Sequence, residues 1–374
     1  MKKGIAVFYD PHNVYQFLWY YCSYGKDVKW TALCLPNSFK GDQVSDYCSK
    51  LRLFETIIKS QELFEGWSQW RQFVEFLKMF FYACMGKQTI YAKKFLKKII
   101  GNVPYDKAVV LTDCGYVSAM FIAMSKEKDV IILEDGMGDY LERKYSNILK
   151  NYTNLYSVKG FILSFLGYVN FSSRYPLRTT KNCVKFSSHP EKMRYKEYKS
   201  IEKLFDMSKT DKELFKSQLE IIYPGIQNYF INKPEIILFT TPLIDYTDNS
   251  LKYYRKVEDF FNRNGAKNLL IKKHPRDRFD YSFDSHIKVE EIPQIIPAEV
   301  LLPYLGGIKI FFMDFSSTNL YMTSFHYTPK FFYFNDLCNE KSTIGCSEKY
   351  APKDKFIERF SFLNLKNEDI IDLY

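Results

Sequence analysis

Two carboxylates and a glycine stand at the end of a short apolar run. The run 130–133 is typical of a buried strand, and Glu134, Asp135 and Gly136 follow it directly. In an open α/β sheet, ligands bind beyond the carboxyl ends of the strands, so these two acids are candidates for a general base. The glycine would let the chain turn close to a substrate. The alternative interpretation is an ordinary acidic turn after a strand.

A histidine and a proline follow a second apolar run in the other half of the chain. The run 269–271 predicts a buried strand that brings Lys272, His274 and Pro275 to its carboxyl end. Proline restricts the preceding residue to an extended backbone, which aims the imidazole. Imidazole exchanges protons near neutral pH, and a neighbouring lysine attracts phosphate. The alternative is a surface histidine in a polar turn. This is our interpretation of the other histidine-proline pair in the chain, His189-Pro190.

Hydroxyl groups and one further acid complete the candidate set. The apolar run 308–312 leads to Ser316 and Ser317 at the start of a predicted helix. Hydroxyls and free backbone N–H groups at this position suit a phosphate, although they also serve as ordinary helix caps. Glu299 follows a proline at another helix start, where it either favours the helix dipole or accepts hydrogen bonds from a ribose.

The strands and helices that carry these side chains indicate the fold class. Short apolar runs alternate with longer amphipathic segments, which is typical of an α/β protein with parallel sheets. A chain of 374 residues exceeds the usual size of a single core, so two domains are expected. We predict a first domain over residues 1–155, a helical connector over 156–230, a second domain over 231–350, and C-terminal helices over 351–374 that pack back on the first domain.

The net charge of +10 limits the choice of partners. Lys93, Lys94, Lys97 and Lys98 cluster on one amphipathic stretch, where nucleic acid, anionic lipid headgroups or an anionic sugar nucleotide would fit. A solvated basic face is the simpler interpretation. No helix-turn-helix, zinc-finger or RNP-like pattern is present, so we predict no nucleic-acid partner.

Cysteine spacing and hydropathy argue against other classes of protein. The eight cysteines form no CxxC pair, which argues against a zinc site and a disulfide framework. No apolar run approaches the roughly 18 to 20 residues that cross a bilayer, and the first residues lack the pattern of a signal peptide. We therefore expect a cytoplasmic protein.

In this order, the motifs resemble those of bacterial sialyltransferases, which carry a (D/E)-(D/E)-G motif, an HP motif and a later serine motif. The loop 9–11, the Thr240-Thr241-Pro242 segment and the Pro-Ala-Glu segment at 297–299 make the chain most similar to glycosyltransferase family 52. The bacterial polysialyltransferases share the short motifs. The resemblance extends over most of the chain.

The resemblance implies a GT-B fold, in which two Rossmann-like domains face a central cleft. It also implies an inverting transfer of sialic acid from CMP-sialic acid to a hydroxyl of a glycan or glycolipid acceptor, without a metal or another cofactor. Capsule or lipooligosaccharide is the expected acceptor class, with a terminal galactose as the expected sugar. Either Glu134 or Asp135, with Asp135 favoured, would remove the acceptor proton, and His274 would donate to the departing CMP.

The same resemblance assigns residues to the donor. It implies that CMP is held by six residues, which are Lys272, Pro275, Glu299, Ser316, Ser317 and Thr241. Peripheral contact with an anionic inner membrane is a further expectation. Two alternatives remain: another GT-B transferase of surface polysaccharide synthesis, including a polysialyltransferase or an enzyme with a different nucleotide sugar, and a non-enzymatic membrane-surface scaffold with a decayed site.

Overall fold

The structure is a computed structural model that describes most of the chain in two units. The described residues are 1–35, 41–60, 74, 78, 82, 85–111, 116–134, 183–192, 199–314, 317–337, 350, 352–359 and 366–373. The two compact units are Met1–Ile222 and Tyr223–Tyr374. Each unit is built around one sheet of parallel strands with helices between them. The predicted α/β class with two Rossmann-like domains is confirmed.

Seven parallel strands form the sheet of the first unit. They are β1 (Lys2–Phe8), β2 (Val28–Cys34), β3 (Phe54–Lys59), β4 (Lys107–Val110), β5 (Asp129–Leu133), β6 (Cys183–Ser187) and β7 (Ser200–Lys203). Their order is β3-β2-β1-β4-β5-β6-β7, so the chain first builds outward from β1 and then crosses back to β4. Because every pair is parallel, all seven carboxyl ends lie at one edge of the sheet.

The described helices of the first unit lie between its strands or after the last of them. They are α1 (Pro11–Tyr20), α2 (Gly41–Leu51), α3 (Gln88–Ile100), α4 (Tyr116–Ala123) and α5 (Lys209–Ile222). The start of α1 is fixed by a capping box between Asp10 and Asn13 and by Pro11 in its first turn. The Asp10 carboxylate accepts a hydrogen bond of 3.1 Å from the Asn13 N–H, and the Asn13 amide oxygen accepts one of 3.2 Å from the Asp10 N–H. The loop after β1 is therefore a helix start.

Close packing in the first sheet explains the glycine at position 4. Gly4 lies on β1 directly beside Trp30 of β2. A Cβ atom added to Gly4 would lie 2.4 Å from the Trp30 ring, which is inside van der Waals contact. The fully buried indole therefore requires glycine at this position.

Six parallel strands form the sheet of the second unit. They are β8 (Ile236–Phe239), β9 (Asn268–Lys272), β10 (Lys288–Ile292), β11 (Lys309–Phe312), β12 (Lys330–Phe334) and β13 (Ile370–Leu373). Their order is β10-β9-β8-β11-β12-β13, with the crossover between β10 and β11. The described helices are α6 (Asn228–Ile231), α7 (Ser250–Arg263), α8 (Ser317–Met322) and α9 (Lys353–Arg359). In sheets of this order, ligands bind where the first strand of each half separates, which here is beyond β8 and β11.

Aromatic rings fill the core of the second sheet. Phe239 of β8 stacks on Phe312 of β11 with ring centroids 4.6 Å apart, and Phe312 stacks on Phe331 of β12 at 5.5 Å. On the other face, Phe311 and Phe332 stack at 5.6 Å. These same-face aromatic pairs stabilise the register that places the carboxyl ends of β8, β9 and β11 side by side.

Two predicted boundaries differ from the structure. The helical connector predicted over 156–230 was wrong for its described part, because β6 and β7 extend the first sheet and α5 closes the first unit. The C-terminal segment 351–374 was expected to be helical and to pack on the first domain. Instead β13 pairs with β12 in the second sheet, and Phe356 of α9 packs against Phe331 and Tyr333. Both described parts of this segment belong to the second unit.

Hydropathy gives one further result. Among the residues that the structure describes, no helix is long and apolar enough to cross a membrane.

Candidate active site

Glu134 leaves the carboxyl end of β5 and is fully buried. Its carboxylate accepts hydrogen bonds from the Ser187 hydroxyl at 3.1 Å, the Ser188 N–H at 2.7 Å and the Ser188 hydroxyl at 3.0 Å. Its backbone oxygen accepts a bond of 2.5 Å from the Gln16 amide of α1. These contacts tie the end of β5 to the end of β6 and to the first helix. Glu134 thus fixes the carboxyl end of β5.

Asp135 lies outside the described residues, so its assignment as the base rests on its position in the chain. It directly follows a carboxylate that already accepts three hydrogen bonds in a buried setting. A buried carboxylate held in this way is well suited to positioning and poorly exposed to a substrate hydroxyl. The contacts of Glu134 therefore favour Asp135 over Glu134 as the general base.

The interpretation of His189 as a surface residue was wrong. His189 is only 3% exposed and follows β6 beside the Glu134 contacts. Its N–H donates to the Ser187 hydroxyl at 3.3 Å, and its Nδ1 lies 3.6 Å from a carboxylate oxygen of Glu191. The polar residues around it suggested exposure, but Ser187 and Ser188 are themselves buried because they bind Glu134. This turn supports the acidic motif.

His274 lies in a tight turn immediately after β9. The Asp277 N–H donates to the His274 carbonyl at 2.9 Å, with Pro275 and Arg276 between them. The His274 N–H donates to the Thr240 hydroxyl at 3.1 Å, and the Arg276 N–H donates to His274 Nδ1 at 3.2 Å. Because Nδ1 accepts, the neutral imidazole carries its hydrogen on Nε2. The turn thus fixes the backbone and the imidazole form of a half-buried histidine.

Asp277 holds this turn together, and sequence analysis missed it. Its side chain is 1% exposed, with Oδ1 accepting from the Phe279 N–H at 3.0 Å. Its Oδ2 accepts from the hydroxyls of Thr240 and Tyr281. Two residues after β10, the Gln294 side-chain amide donates to the carbonyls of His274 at 3.2 Å and Asp277 at 2.8 Å. An acid three residues after the HP histidine was the available signal.

A small aromatic layer supports the Asp277 side chain. The rings of Tyr254 and Phe279 stack with centroids 4.4 Å apart, and Tyr281 packs edge-on against Phe279 at 4.8 Å. Burial, followed by the negative charge of Asp277, holds the pKa of Tyr281 well above its usual value. The Tyr281 hydroxyl therefore stays protonated and donates to Asp277.

Lys272 and Glu299 form a buried charged pair next to this turn. The Lys272 Nζ donates to the carbonyls of Lys273 at 2.9 Å and Gln294 at 3.4 Å, and its side chain is 3% exposed. Burial lowers the pKa of Lys272 to about 8, while the negative charge of Glu299 opposes that shift. Glu299, on the 3₁₀ helix Ala298–Tyr304, accepts a hydrogen bond of 3.0 Å from the Thr318 hydroxyl of α8. The ends of β9 and α8 thus meet around Glu299.

The remaining predicted residues lie at or beside the same edge of the second sheet. Thr241 follows β8, and its carbonyl accepts hydrogen bonds from the Leu243 N–H at 3.0 Å and the Tyr254 hydroxyl at 3.2 Å. Ser317 is the first residue of α8, and Ser316 lies outside the described part of the chain. At the end of β11, the Tyr246 hydroxyl donates to the buried Asp314 at 2.6 Å, an acid that sequence analysis did not select.

The family of the chain follows from comparison with known proteins. Residues 2–334 match the family model described as alpha-2,8-polysialyltransferase (POLYST). The chain belongs to this family. Membership confirms the predicted resemblance and the enzyme class, a sialyltransferase-type glycosyltransferase. Together with the two Rossmann-like units, it also confirms the predicted GT-B fold class.

Three of the proteins similar to this chain share 32% sequence identity or less with it. An uncharacterized protein of Haemophilus influenzae is 32% identical over 188 residues, which are 47% of this chain and 53% of that protein. The chain thus spans about half the length of this curated relative. The alpha/beta-galactoside alpha-2,3-sialyltransferase of Photobacterium phosphoreum is 12% identical, with a TM-score of 0.49 and coverage of 99% and 98% of the two chains. The calicheamicin glycosyltransferase is 10% identical, with a TM-score of 0.48 and coverage of 100% and 86%.

Within this polysialyltransferase-family chain, the second unit gathers most of the predicted residues. Thr241, Lys272, His274, Pro275 and Glu299 all lie at or beside the carboxyl edge of its sheet. Glu134, the described residue of the acidic motif, lies at the corresponding edge of the first unit's sheet. In α/β sheets this is the edge where ligands bind.

A charged cavity opens beside the His274 turn. Its volume is about 430 Å³, within the usual range for small-molecule sites. It is lined by residues that follow β9 and by residues at and just after the end of β10, namely Lys273, Asp277, Arg278, Asp280, Glu291, Ile292, Pro293 and Gln294. Lys273 Nζ lies 2.9 Å from the Glu291 carboxylate inside this lining.

In the described ranges, no three His, Cys, Asp or Glu side chains cluster in a way that could hold a metal ion. The metal-independent reaction predicted from the resemblance stays a prediction.

Proposed function

We propose that this protein is an inverting sialyltransferase that moves sialic acid from CMP-sialic acid to a hydroxyl of a glycan or glycolipid acceptor. The observation that carries the proposal is the His274 turn, in which the Arg276 N–H donates to Nδ1 and so selects the imidazole form with its hydrogen on Nε2. The expected acceptors are capsule or lipooligosaccharide with a terminal galactose. The proposed location is the cytoplasm.

The proposed reaction separates proton removal from proton donation. The Asp135 carboxylate removes the proton from the acceptor hydroxyl, whose oxygen then forms a bond to the anomeric carbon of sialic acid. The bond from that carbon to the CMP phosphate breaks on the opposite face, which inverts the configuration. The departing phosphate oxygen receives a hydrogen bond or the proton from His274 Nε2. A group that donates in place lowers the barrier by stabilising the leaving charge.

The donor site is proposed around the buried pair. An ammonium has three N–H donors, and Lys272 Nζ donates to two carbonyls, so one donor and the positive charge are available to an anion. Glu299 is the proposed ribose acceptor, and Ser316, Ser317, Thr241 and Pro275 are the proposed neighbours of the phosphate. Fixed donors and a fixed cation stabilise a phosphate leaving group without a metal ion.

A donor screen in EDTA tests the proposal. The purified full chain should hydrolyse CMP-sialic acid slowly and transfer its sugar to a galactose-terminated acceptor, at rates unchanged by chelation. UDP-sugars should be inert. Turnover of a UDP-sugar alone would support the alternative of another GT-B transferase, and no turnover of any donor by folded protein would support a scaffold with a decayed site. Strict dependence on added Mg²⁺ or Mn²⁺ would contradict the metal-free mechanism.

A second candidate function is favoured by the description of the matching family. Alpha-2,8-polysialyltransferases would by that description use sialic acid itself as the acceptor. The test compares a galactose-terminated acceptor with the same acceptor already carrying sialic acid, using mass spectrometry of the products. A ladder of added sialic acids on the second acceptor alone supports polymerisation, whereas one addition to galactose supports single transfer.

A further inference from the structure

The exposed side of α3 carries a cluster of lysines that the proposed reaction does not use. Lys93, Lys94, Lys97 and Lys98 are all exposed, and so is Ile90 one turn earlier. At 100° per residue these five positions lie within one arc of the helix surface. We call them the lysine face. Its only ion pair among the described residues joins Lys93 to Glu127 at 3.6 Å.

The opposite side of α3 is buried, which fixes the orientation of the lysine face. Tyr91, Ala92, Phe95, Leu96 and Ile100 of α3 pack in the core of the first unit. The helix therefore cannot rotate to bury its lysines or to insert its apolar side into another surface. A partner of this helix must therefore contact its exposed lysine face.

Two exposed apolar side chains distinguish the possible partners. Ile90 is 47% exposed on the lysine face, and Met85 is 56% exposed in the turn before α3. The phosphates of a nucleic acid would bind the lysines, but its charged backbone provides no apolar contact for Ile90 and Met85. The boundary of a lipid bilayer accepts both groups, since anionic headgroups attract lysine and the acyl region accepts apolar side chains.

From this arrangement we infer that the lysine face binds the surface of an anionic phospholipid membrane. The contact is electrostatic, with Ile90 and Met85 as shallow apolar anchors. It orients the first unit on the membrane. The inference concerns a surface remote in sequence from both catalytic motifs and does not depend on the proposed reaction.

Co-sedimentation with vesicles tests the inference in the absence of donor and acceptor. The full chain should bind vesicles of equimolar phosphatidylglycerol and phosphatidylcholine and leave pure phosphatidylcholine vesicles unbound. The variant K93Q/K94Q/K97Q/K98Q should weaken that binding on the order of a hundredfold, because each lysine near an anionic surface contributes a factor of about five and Glu127 already screens one. Glutamine is a good helix former, so circular dichroism should stay unchanged.

A matched variant controls for net charge. Lys267, Lys288, Lys309 and Lys330 are exposed in the second unit, at or just before the starts of β9 to β12. Changing these four to Gln removes the same charge but leaves the lysine face intact, so binding should stay within about twofold. Ile90→Ser should lower the amount of protein that stays bound to anionic vesicles at high salt, since that residual binding comes from apolar contact.

Three results would overturn the inference. Equal loss in the two quadruple variants would show that net charge alone drives binding. Equal binding to neutral and anionic vesicles would remove the role of the lysines. Binding of duplex DNA, but not of anionic vesicles, through the same four lysines would assign the lysine face to nucleic acid.

Discussion

The backbone N–H of Arg276 donates a hydrogen bond of 3.2 Å to Nδ1 of His274, two residues earlier in the same turn. Since a backbone amide can only donate, this bond requires an unprotonated Nδ1. It thereby selects the imidazole form whose hydrogen is on Nε2. The proposed donation to a leaving phosphate depends on this selection.

Nitrogen NMR can observe the selected form directly. In protein labelled with ¹⁵N-histidine, the His274 signals should show an unprotonated Nδ1 and a protonated Nε2 near pH 8. The chain has five histidines, so the spectrum of His274→Ala identifies the signals by their loss. Observation of the opposite form, with hydrogen on Nδ1, would contradict the geometry of the turn.

Asp277 should act through His274 as a positioning residue. Asp277→Asn replaces one carboxylate oxygen by a donor that cannot accept from Thr240 or Tyr281, so we expect kcat to fall about tenfold or more as the turn loosens. The double variant H274A/D277N should be no slower than H274A, because the Asp277 effect requires the imidazole. Steady-state kinetics of the four proteins measure this coupling. Multiplication of the two losses in the double variant would mean that Asp277 acts independently.

The two acids of the acidic motif should have separate effects. In Glu134→Gln, an amide NH₂ group replaces a carboxylate oxygen that accepts hydrogen bonds from Ser187 and Ser188. The free energy of unfolding should therefore fall by about 1–3 kcal/mol. Asp135→Asn should keep that free energy and lower kcat by about 10²- to 10⁴-fold, as for loss of a general base. Urea denaturation and initial rates give both quantities. Full stability with complete inactivity in Glu134→Gln would reverse the assignment.

Donor affinity should depend on the charge of Lys272. Burial lowers the pKa of Lys272 to about 8, so its positive charge is present below that pH and is lost as pH rises through it. The KM for CMP-sialic acid should therefore rise above about pH 8. Lys272→Arg should move this rise to higher pH because guanidinium keeps its charge. Lys272→Met should show a high KM throughout, and an unchanged pH profile in this variant would rule out the charge of Lys272 as its cause.

β5, β9 and β11 were predicted from continuous apolar runs. Each run leads to the polar residues that were selected as candidates. The edge strand β7, with the sequence Ser-Ile-Glu-Lys, was missed because it is only half buried and therefore lacks an apolar run. β13 was mistaken for a helix because four residues cannot distinguish a period of 2 from one of 3.6.

The candidate residues were predictable, but their supports were not. His274 and Glu134 follow apolar runs that are evident in the sequence. Asp277 becomes a support only because β8 and β9 pair with Phe239 opposite Lys272, which brings Thr240 to the HP turn across 37 positions in the chain. His189 is buried for the same kind of reason, since its neighbours bind a carboxylate 53 and 54 residues earlier. Local patterns do not contain such pairings.

The rate of CMP release from CMP-sialic acid, measured for the wild type and for His274→Ala with EDTA present, tests whether His274 is the proton donor to the leaving group. His286→Ala is the matched control, since His286 is exposed before β10. We expect kcat to fall at least about 10²-fold in His274→Ala, with a native circular dichroism spectrum, and to stay at the wild-type value in His286→Ala. Release at the wild-type rate by folded His274→Ala protein would show that His274 is not this donor.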